Sequence, residues 1–278
     1  MTRWLVVTLL HALVTLDAVG GGIDCANLTN VVYGRGRARE PELGDAPYQA
    51  NLLFRLNGSG VSFCGGSLIH PIWILTAAHC LERNGEQFSP EFITVALGSV
   101  LTDGDGAQMV PAGRVFISPG YLVNGNSDDV GLVRLARPAK LSNYVQTISL
   151  HRNNGESLLN LTAYLTGFGI INDFRRRPKR LRKAILHVAK PEKCSLKPQD
   201  DQICCTSTVD EGKACKGDSG GPLVTIIAGK TYQIGIASHL SLLPICQLKF
   251  NNSIYARVSK YIEWISNVTD VNFQYYDA

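Results

Sequence analysis

Several absences narrow the class of this chain before any motif is considered. None of its eight cysteines forms a C-x-x-C pair, and their spacing is not that of a zinc ribbon. Beyond the first twenty residues there is no uninterrupted apolar run of about 18 residues, the length a membrane-spanning helix needs. No internal repeat is visible, and the formal net charge, +4, is mild. With no recognisable nucleic-acid motif, a nucleic-acid partner is not expected. No metal cluster stands out, and no cofactor is implied. The chain is not short of apolar residues: a hydrophobic content of 45% over 278 residues is enough for a sizeable globular core.

The amino end reads as a secretory leader. Arg3 precedes an apolar run of about a dozen residues, and Ala18-Val19-Gly20 supplies a small-x-small exit site. Residues 1–20 are therefore set aside, and the remainder is expected to be a secreted, extracellular, soluble protein. Export permits disulfides, and all the cysteines follow the leader. Five N-x-S/T sequons, at Asn27, Asn57, Asn160, Asn251 and Asn267, fit a secreted glycoprotein. One stretch, Arg175 to Lys183, carries seven basic residues in nine. It reads either as a solvated loop, as a contact for a polyanion such as heparin, or as a site of basic-specific proteolysis.

Most periodic segments are short and strand-like. VSFCGGSLI, FITVALGS, VGLVRL, TAYLTGFG, GPLVTII, TYQIGIAS and SIYARV are rich in Val, Ile, Tyr or Phe and are bounded by turn residues. Ala228-Gly229-Lys230 reads as the turn of a hairpin. Near the carboxyl end, Val258, Tyr261, Ile262 and Ile265 recur at helical spacing. The pattern predicts a many-stranded β protein with a terminal helix and a boundary between two β units near residues 136–147.

Three sites carry chemistry. In GKACKGDSGGP, Ser219 lies between Asp218 and paired glycines. A serine hydroxyl needs an adjacent base to act as a nucleophile, and the negative charge formed on an attacked carbonyl needs fixed donors. A glycine-rich turn can supply both exposure and backbone N–H groups. His79, in WILTAAHC, closes an apolar strand beside a cysteine. Asp129, in SDDVGLVRL, heads another apolar strand. A buried carboxylate needs partners, and an imidazole N–H is one, held in the tautomer a base requires.

Together, TAAHC, DDVGLV and GDSGGP resemble the three motifs of the chymotrypsin-like (S1) serine proteases, in that family's order. CGGSLI, PYQANL and the YIEWI helix also match, so the resemblance covers about residues 31–268. It implies an all-β fold of two six-stranded antiparallel β-barrels with a C-terminal α-helix. The expected division is residues 1–20 leader, 21–30 pro-segment, 31–268 peptidase domain and 269–278 tail. Within the domain, barrel one spans about 31–145, barrel two about 146–257 and the helix about 258–268. The resemblance further implies Ser219 as nucleophile, His79 as general base and then acid, and Asp129 as its orienting group. The amides of Gly217 and Ser219 would form the oxyanion hole, and Ser238 would support Asp129 and the substrate backbone. The implied disulfides are Cys64–Cys80, Cys194–Cys204 and Cys215–Cys246. The implied partner is a protein or peptide substrate, met by a monomer that binds neither nucleic acid nor membrane.

The chain also departs from the family. Lys213 falls at the expected floor of the primary specificity pocket, where trypsin-like members have aspartate, so tryptic specificity is not expected. Its charge would meet an acidic substrate side chain, pair with Asp210 or Glu211, or reach solvent. His239 replaces a large aromatic, and Leu240 and Ser253 stand where glycine is usual, which implies a short pocket. Asp218 is retained for an ion pair with a freed Val31 amine, yet Asn30 precedes Val31 in place of a basic residue. Cleavage after Asn30, cleavage elsewhere and no cleavage all remain open. So do a Cys25–Cys205 bond, free thiols and exchange between Cys204 and Cys205. An active endopeptidase is the leading expectation, and a non-cutting homologue that binds partners is the alternative.

Overall fold

The computed structural model describes residues 40–55, 61–124, 127–171, 176–194, 197–208, 211–240, 252–273 and 275–276. Val31, Cys25, Cys246, Asp210 and the sequons at Asn27, Asn57 and Asn251 lie outside them.

Two six-stranded antiparallel barrels make the fold. The first contains β1 (Gln49–Arg55), β2 (Val61–His70) and β3 (Trp73–Thr76). A small ribbon of β4 (Glu82–Arg83) and β5 (Glu86–Gln87) follows, and then β6 (Ile93–Leu97), β7 (Gln108–Ile117) and β8 (Gly131–Leu135). This barrel closes in the order β1-β2-β3-β8-β7-β6. After β9 (Ser149–His151), the second contains β10 (Thr162–Gly167), β11 (Arg182–Val188), β12 (Gln202–Thr206), β13 (Pro222–Ile227), β14 (Lys230–Leu240) and β15 (Asn252–Arg257). Its order is β13-β10-β11-β12-β15-β14, closed by the β13–β14 hairpin. Two further strands, β9 and the short β16 (Tyr275–Tyr276), extend β14 in parallel pairs that the sequence did not predict. The β13–β14 turn is Ala228-Gly229, both at positive φ, 50° and 77°, the geometry that matches strand twist in a tight hairpin.

Alternation explains the strands. β11 runs buried and half-buried in strict turn, so one face fills the barrel. Leu52, Leu68, Ile74, Val95, Val110 and Leu132 fill the first barrel; Leu165, Leu186, Leu223, Ile234 and Tyr255 fill the second. Each such side chain contributes about 1.5–3 kcal/mol on burial. β7, by contrast, carries Pro111 and Gly113, and its pairing with β8 shifts register between Ala112 and Arg114. Such irregular strands lack a clean period-two signal. The terminal helix divides: Val258–Lys260 is a 3-10 turn and the α-helix itself spans Ile262–Thr269. Val258, Tyr261, Ile262 and Ile265 are buried as their spacing predicted.

Buried polar pairs join the barrels. Ser67 Oγ donates to Gln233 Oε1 at 2.7 Å and Thr166 Oγ1 to Gln49 Oε1 at 2.6 Å. These bonds, directional and desolvated, hold one barrel's strands in a set position against the other's.

Candidate active site

His79 lies in a 3-10 turn, Ala78–Cys80, directly after β3. The turn points its ring toward Asp129, which precedes β8, the antiparallel partner of β3. Nδ1 of His79 is 2.8 Å from Oδ2 of Asp129, and the His79 backbone N–H donates to Oδ1 at 2.9 Å. The Asp129 side chain is 1% exposed, and the His79 side chain 31%. Ser238 Oγ donates to the same Oδ2 at 2.5 Å. Burial by itself would raise the Asp129 pKa, but the charge and hydrogen bonds of His79 and the Ser238 hydroxyl hold it below the ordinary carboxylate value. Burial likewise opposes the charged imidazole of His79, but the Asp129 charge and hydrogen bond, with Glu82 further off, raise its pKa above 6.5. The outcome is an imidazole whose Nδ1–H is committed to Asp129, leaving Nε2 to face the cleft.

Ser238 also lies 2.6 Å from Nδ1 of His239. Its single hydroxyl proton is given to Asp129, so His239 must donate Nδ1–H to Ser238. The Ser238 hydroxyl thus links His239 to Asp129, which in turn holds His79, and the two imidazole centroids are 6.5 Å apart.

Ser219 is placed by its neighbours. Gly65 N–H donates to the Ser219 carbonyl at 2.7 Å, and Gly220 N–H to the Ala237 carbonyl at 2.7 Å. Gly220 takes φ +76°, and a Cβ there would collide with Thr76 Oγ1 and the Gly65 carbonyl. The serine turn is therefore pressed against β2 and β3, three residues from His79. The Ser219 hydroxyl makes no hydrogen bond to His79 in this state; Nε2 of His79 lies 3.8 Å from Cys80 Sγ. Such bonds are often long in unliganded sites and tighten around substrate. Among the described residues, neither the Gly217 nor the Ser219 N–H has an acceptor. With Gly217 at φ +99°, two unpartnered donors flank the serine.

Asp218, fully buried, accepts N–H bonds from Gly169 and Cys215, each at 2.8 Å. Burial pushes its carboxyl up to about 6, against those two bonds and the more distant charge of Arg177. The Cys64–Cys80 disulfide fixes β2 to the His79 turn. Its sulfurs lie close to His79, but as a disulfide they are not thiolate metal ligands. Cys194–Cys204 is the second bond seen. Cys215 is also disulfide-bonded; the cysteines left to pair with it, Cys25 and Cys246, lie outside the described residues. Cys205 is a free, buried thiol, which removes both the Cys25–Cys205 bond and an exchanged Cys204–Cys205 pairing from this structure.

Beside Ser219 is a small cavity whose walls include Ala214, Ala237, Ser238, Ser253 and Tyr255. Ser253 Oγ and the Tyr255 hydroxyl, on the same strand, are hydrogen-bonded to each other at 2.8 Å. Lys213, expected at the floor, is not among the described residues that line it; it is half-buried. Leu240 ends β14 in register with Ser253, and its side chain lies outside the described residues. Tyr255 was not singled out from the sequence, where it is indistinguishable from any strand aromatic.

Part of the basic run is folded back on the protein, and Arg175 lies outside the described residues. Arg182 and Arg180 pair with Glu40 at 2.7 and 3.3 Å, and Lys183 stands 4.2 Å over the Tyr164 ring.

A family model described as trypsin matches residues 36–265. Chymotrypsin-like elastase family member 1 from Felis catus is 32% identical over 234 residues, 81% of this chain and 86% of that protein. The Homo sapiens protein of the same name is 31% identical over 238 residues, covering 81% and 88%. Urokinase-type plasminogen activator from Gallus gallus is 30% identical over 244 residues, 82% of this chain but 56% of that longer protein.

Proposed function

The chain belongs to the trypsin family of serine proteases, and on that premise we propose that it is a secreted endopeptidase acting through His79, Asp129 and Ser219. The observation that carries this reading is the 2.8 Å bond between His79 Nδ1 and an Asp129 carboxylate that is otherwise fully enclosed. Neutral His79 takes the Ser219 proton on Nε2 as Oγ attacks the substrate carbonyl. The Gly217 and Ser219 N–H groups receive the oxyanion. His79 then gives the proton to the leaving amine, and the peptide C–N bond breaks to leave an acyl-enzyme. Water, deprotonated by the same imidazole, releases the acid.

The residue whose carbonyl is attacked is chosen by the cavity next to Ser219. Ala214, Ala237 and the Ser253–Tyr255 hydroxyl pair favour a small, uncharged side chain before the cleaved bond. An acidic side chain there would have to be answered by Lys213, which does not line the cavity.

Secretion rests on the residue 1–20 leader and the disulfides. No helix among the described residues is long and apolar enough to cross a membrane. The test is labelling by a fluorophosphonate probe. The wild-type chain labels and Ser219→Ala does not; absence of labelling in a folded, processed wild type would replace the enzyme by the non-cutting homologue.

A further inference from the structure

Among the described residues of the basic run, Arg177 lies beside the serine turn. Its guanidinium carbon lies 3.7 Å from the centroid of the Phe63 ring. Its Nη2 lies 3.7 Å from the point where a Cβ would stand on Gly217. Its Nη1 is enclosed with no hydrogen-bond acceptor. Among the described residues the carboxylate in its field is Asp218, whose two oxygens are engaged by the Gly169 and Cys215 N–H groups. The guanidinium is thus held by a ring face and a buried charge, and with Nη1 enclosed it is the Nε and Nη2 edge that is left to meet a ligand.

The side of the site on which it stands follows from the neighbours. The cavity that receives the side chain before the cleaved bond is walled by Ala214, Ala237 and Ser253, and Arg177 is not among its lining residues. Phe63 adjoins Cys64, whose disulfide partner Cys80 follows His79. His79 is the group that hands a proton to the departing amine. Gly217 adjoins Arg177, and Phe63 is tied through the Cys64–Cys80 bond to the turn of His79, which argues for the guanidinium on the side from which the amine leaves. A peptide in extended form advances about 3.3 Å per residue, so the first two residues after the cleaved bond pass within its reach.

Resting on the reading of the site as a serine endopeptidase, we propose that Arg177, braced on Phe63, forms a subsite for an acidic side chain within two residues after the cleaved bond. A carboxylate matches the guanidinium fork bidentately, and the aromatic face behind it limits the rotamers that must be ordered on binding. An arrangement of this kind selects substrates by charge where the small cavity selects them by size. A lysine at the same substrate position meets a like charge, so discrimination arises from repulsion as well as attraction.

The test uses internally quenched peptides that share one acyl half ending in alanine and carry Asp, Glu, Ala or Lys at the first or the second position after it. Wild type, Arg177→Gln and Arg177→Glu are compared, each rate normalised to sites titrated with a fluorophosphonate. Wild type is expected to cleave the acidic peptides with kcat/KM about tenfold or more above the lysine peptides, a margin that shrinks with salt. Arg177→Gln levels the series, and Arg177→Glu inverts it. An unchanged order in Arg177→Gln overturns the subsite, as does a wild type indifferent to charge at both positions. Failure of wild type to titrate at all overturns the endopeptidase reading instead, so the two failures are separable. If Arg177→Glu does not fold, the glutamine variant alone decides.

Discussion

The Gly65 N–H donates to the carbonyl of Ser219 at 2.7 Å, so the first barrel holds the backbone of the residue that the second barrel presents. A Cβ on Gly65 would stand 2.7 Å from the Gly221 Cα. Gly65→Ala must therefore push the serine turn away from β2, while the strand itself tolerates alanine. Misplacement by about 1 Å is worth about 10²-fold in such chemistry. The expected outcome is a fluorophosphonate labelling rate reduced by about that factor with an unchanged β-sheet circular dichroism spectrum. Labelling at the wild-type rate would show that this bond does not position Ser219.

Asp129 raises the His79 pKa above 6.5 and holds the proton on Nδ1. The base is active only when neutral, so the acid limb of the labelling rate should have its midpoint above 6.5. In Asp129→Asn the main raising charge is gone and burial is opposed only by the more distant Glu82, so the midpoint moves down. The amide also presents a donor to Nδ1 and favours the wrong tautomer, with a loss on the order of 10⁴ in turnover. A pH profile of labelling and of peptide hydrolysis checks both; a midpoint that does not move would remove Asp129 as the source of the shift.

Ser253 and Tyr255 narrow the cavity with a hydroxyl pair. Ser253→Gly should admit larger side chains before the cleaved bond, shifting the ratio of kcat/KM for leucine over alanine peptides upward by about 10- to 200-fold. The Tyr255 hydroxyl loses its partner, at a stability cost of about 1–3 kcal/mol. A peptide library profiled on both proteins measures the shift, and an identical profile would place the size limit elsewhere.

Asp218 has a folded-state pKa of about 6, raised by burial from an ordinary value of 3.8. The folded protein thus binds this proton more tightly than the unfolded chain, so the contribution of Asp218 to stability falls as pH rises from about 4 to about 6. Above that window the ionised carboxyl costs about 3 kcal/mol relative to its neutral form. Asp218→Asn removes the titration. The stability difference, variant minus wild type, should therefore become more favourable by up to that amount between pH 4 and pH 7, on top of a constant term for the altered hydrogen bonds. Urea unfolding of both proteins at the two pH values tests it; a difference independent of pH would contradict the raised pKa.

Much of this protein was legible as local pattern. The strands of VSFCGGSLI, TAYLTGFG and TYQIGIAS announced themselves because β-branched and aromatic residues cluster where a sheet face must be covered. The helical spacing of Val258, Tyr261, Ile262 and Ile265 marked a face that is indeed buried. β7 was not legible, because Pro111 and Gly113 interrupt its alternation where the strand bulges. β11 was obscured by the basic run, since Arg182 enters the barrel wall only by virtue of its pairing with Glu40, far away in the sequence.

The same division runs through the site. That a serine, a histidine and an aspartate carry chemistry could be argued from residue types and the turns that hold them, because nucleophile, base and orienting acid are properties of side chains. Which groups those side chains meet could not. Lys213, expected at a pocket floor, is not among the described residues that line the small cavity beside Ser219, whose walls include Ser253 and Tyr255. Arg177 looked like one more solvated charge until Phe63 was found beneath it. Chain composition and periodicity determine which segments bury a face and which residues are able to react. Distances between residues remote in sequence are set only when two barrels close on each other, because that packing alone decides which polar groups lose water and must find a partner in the protein.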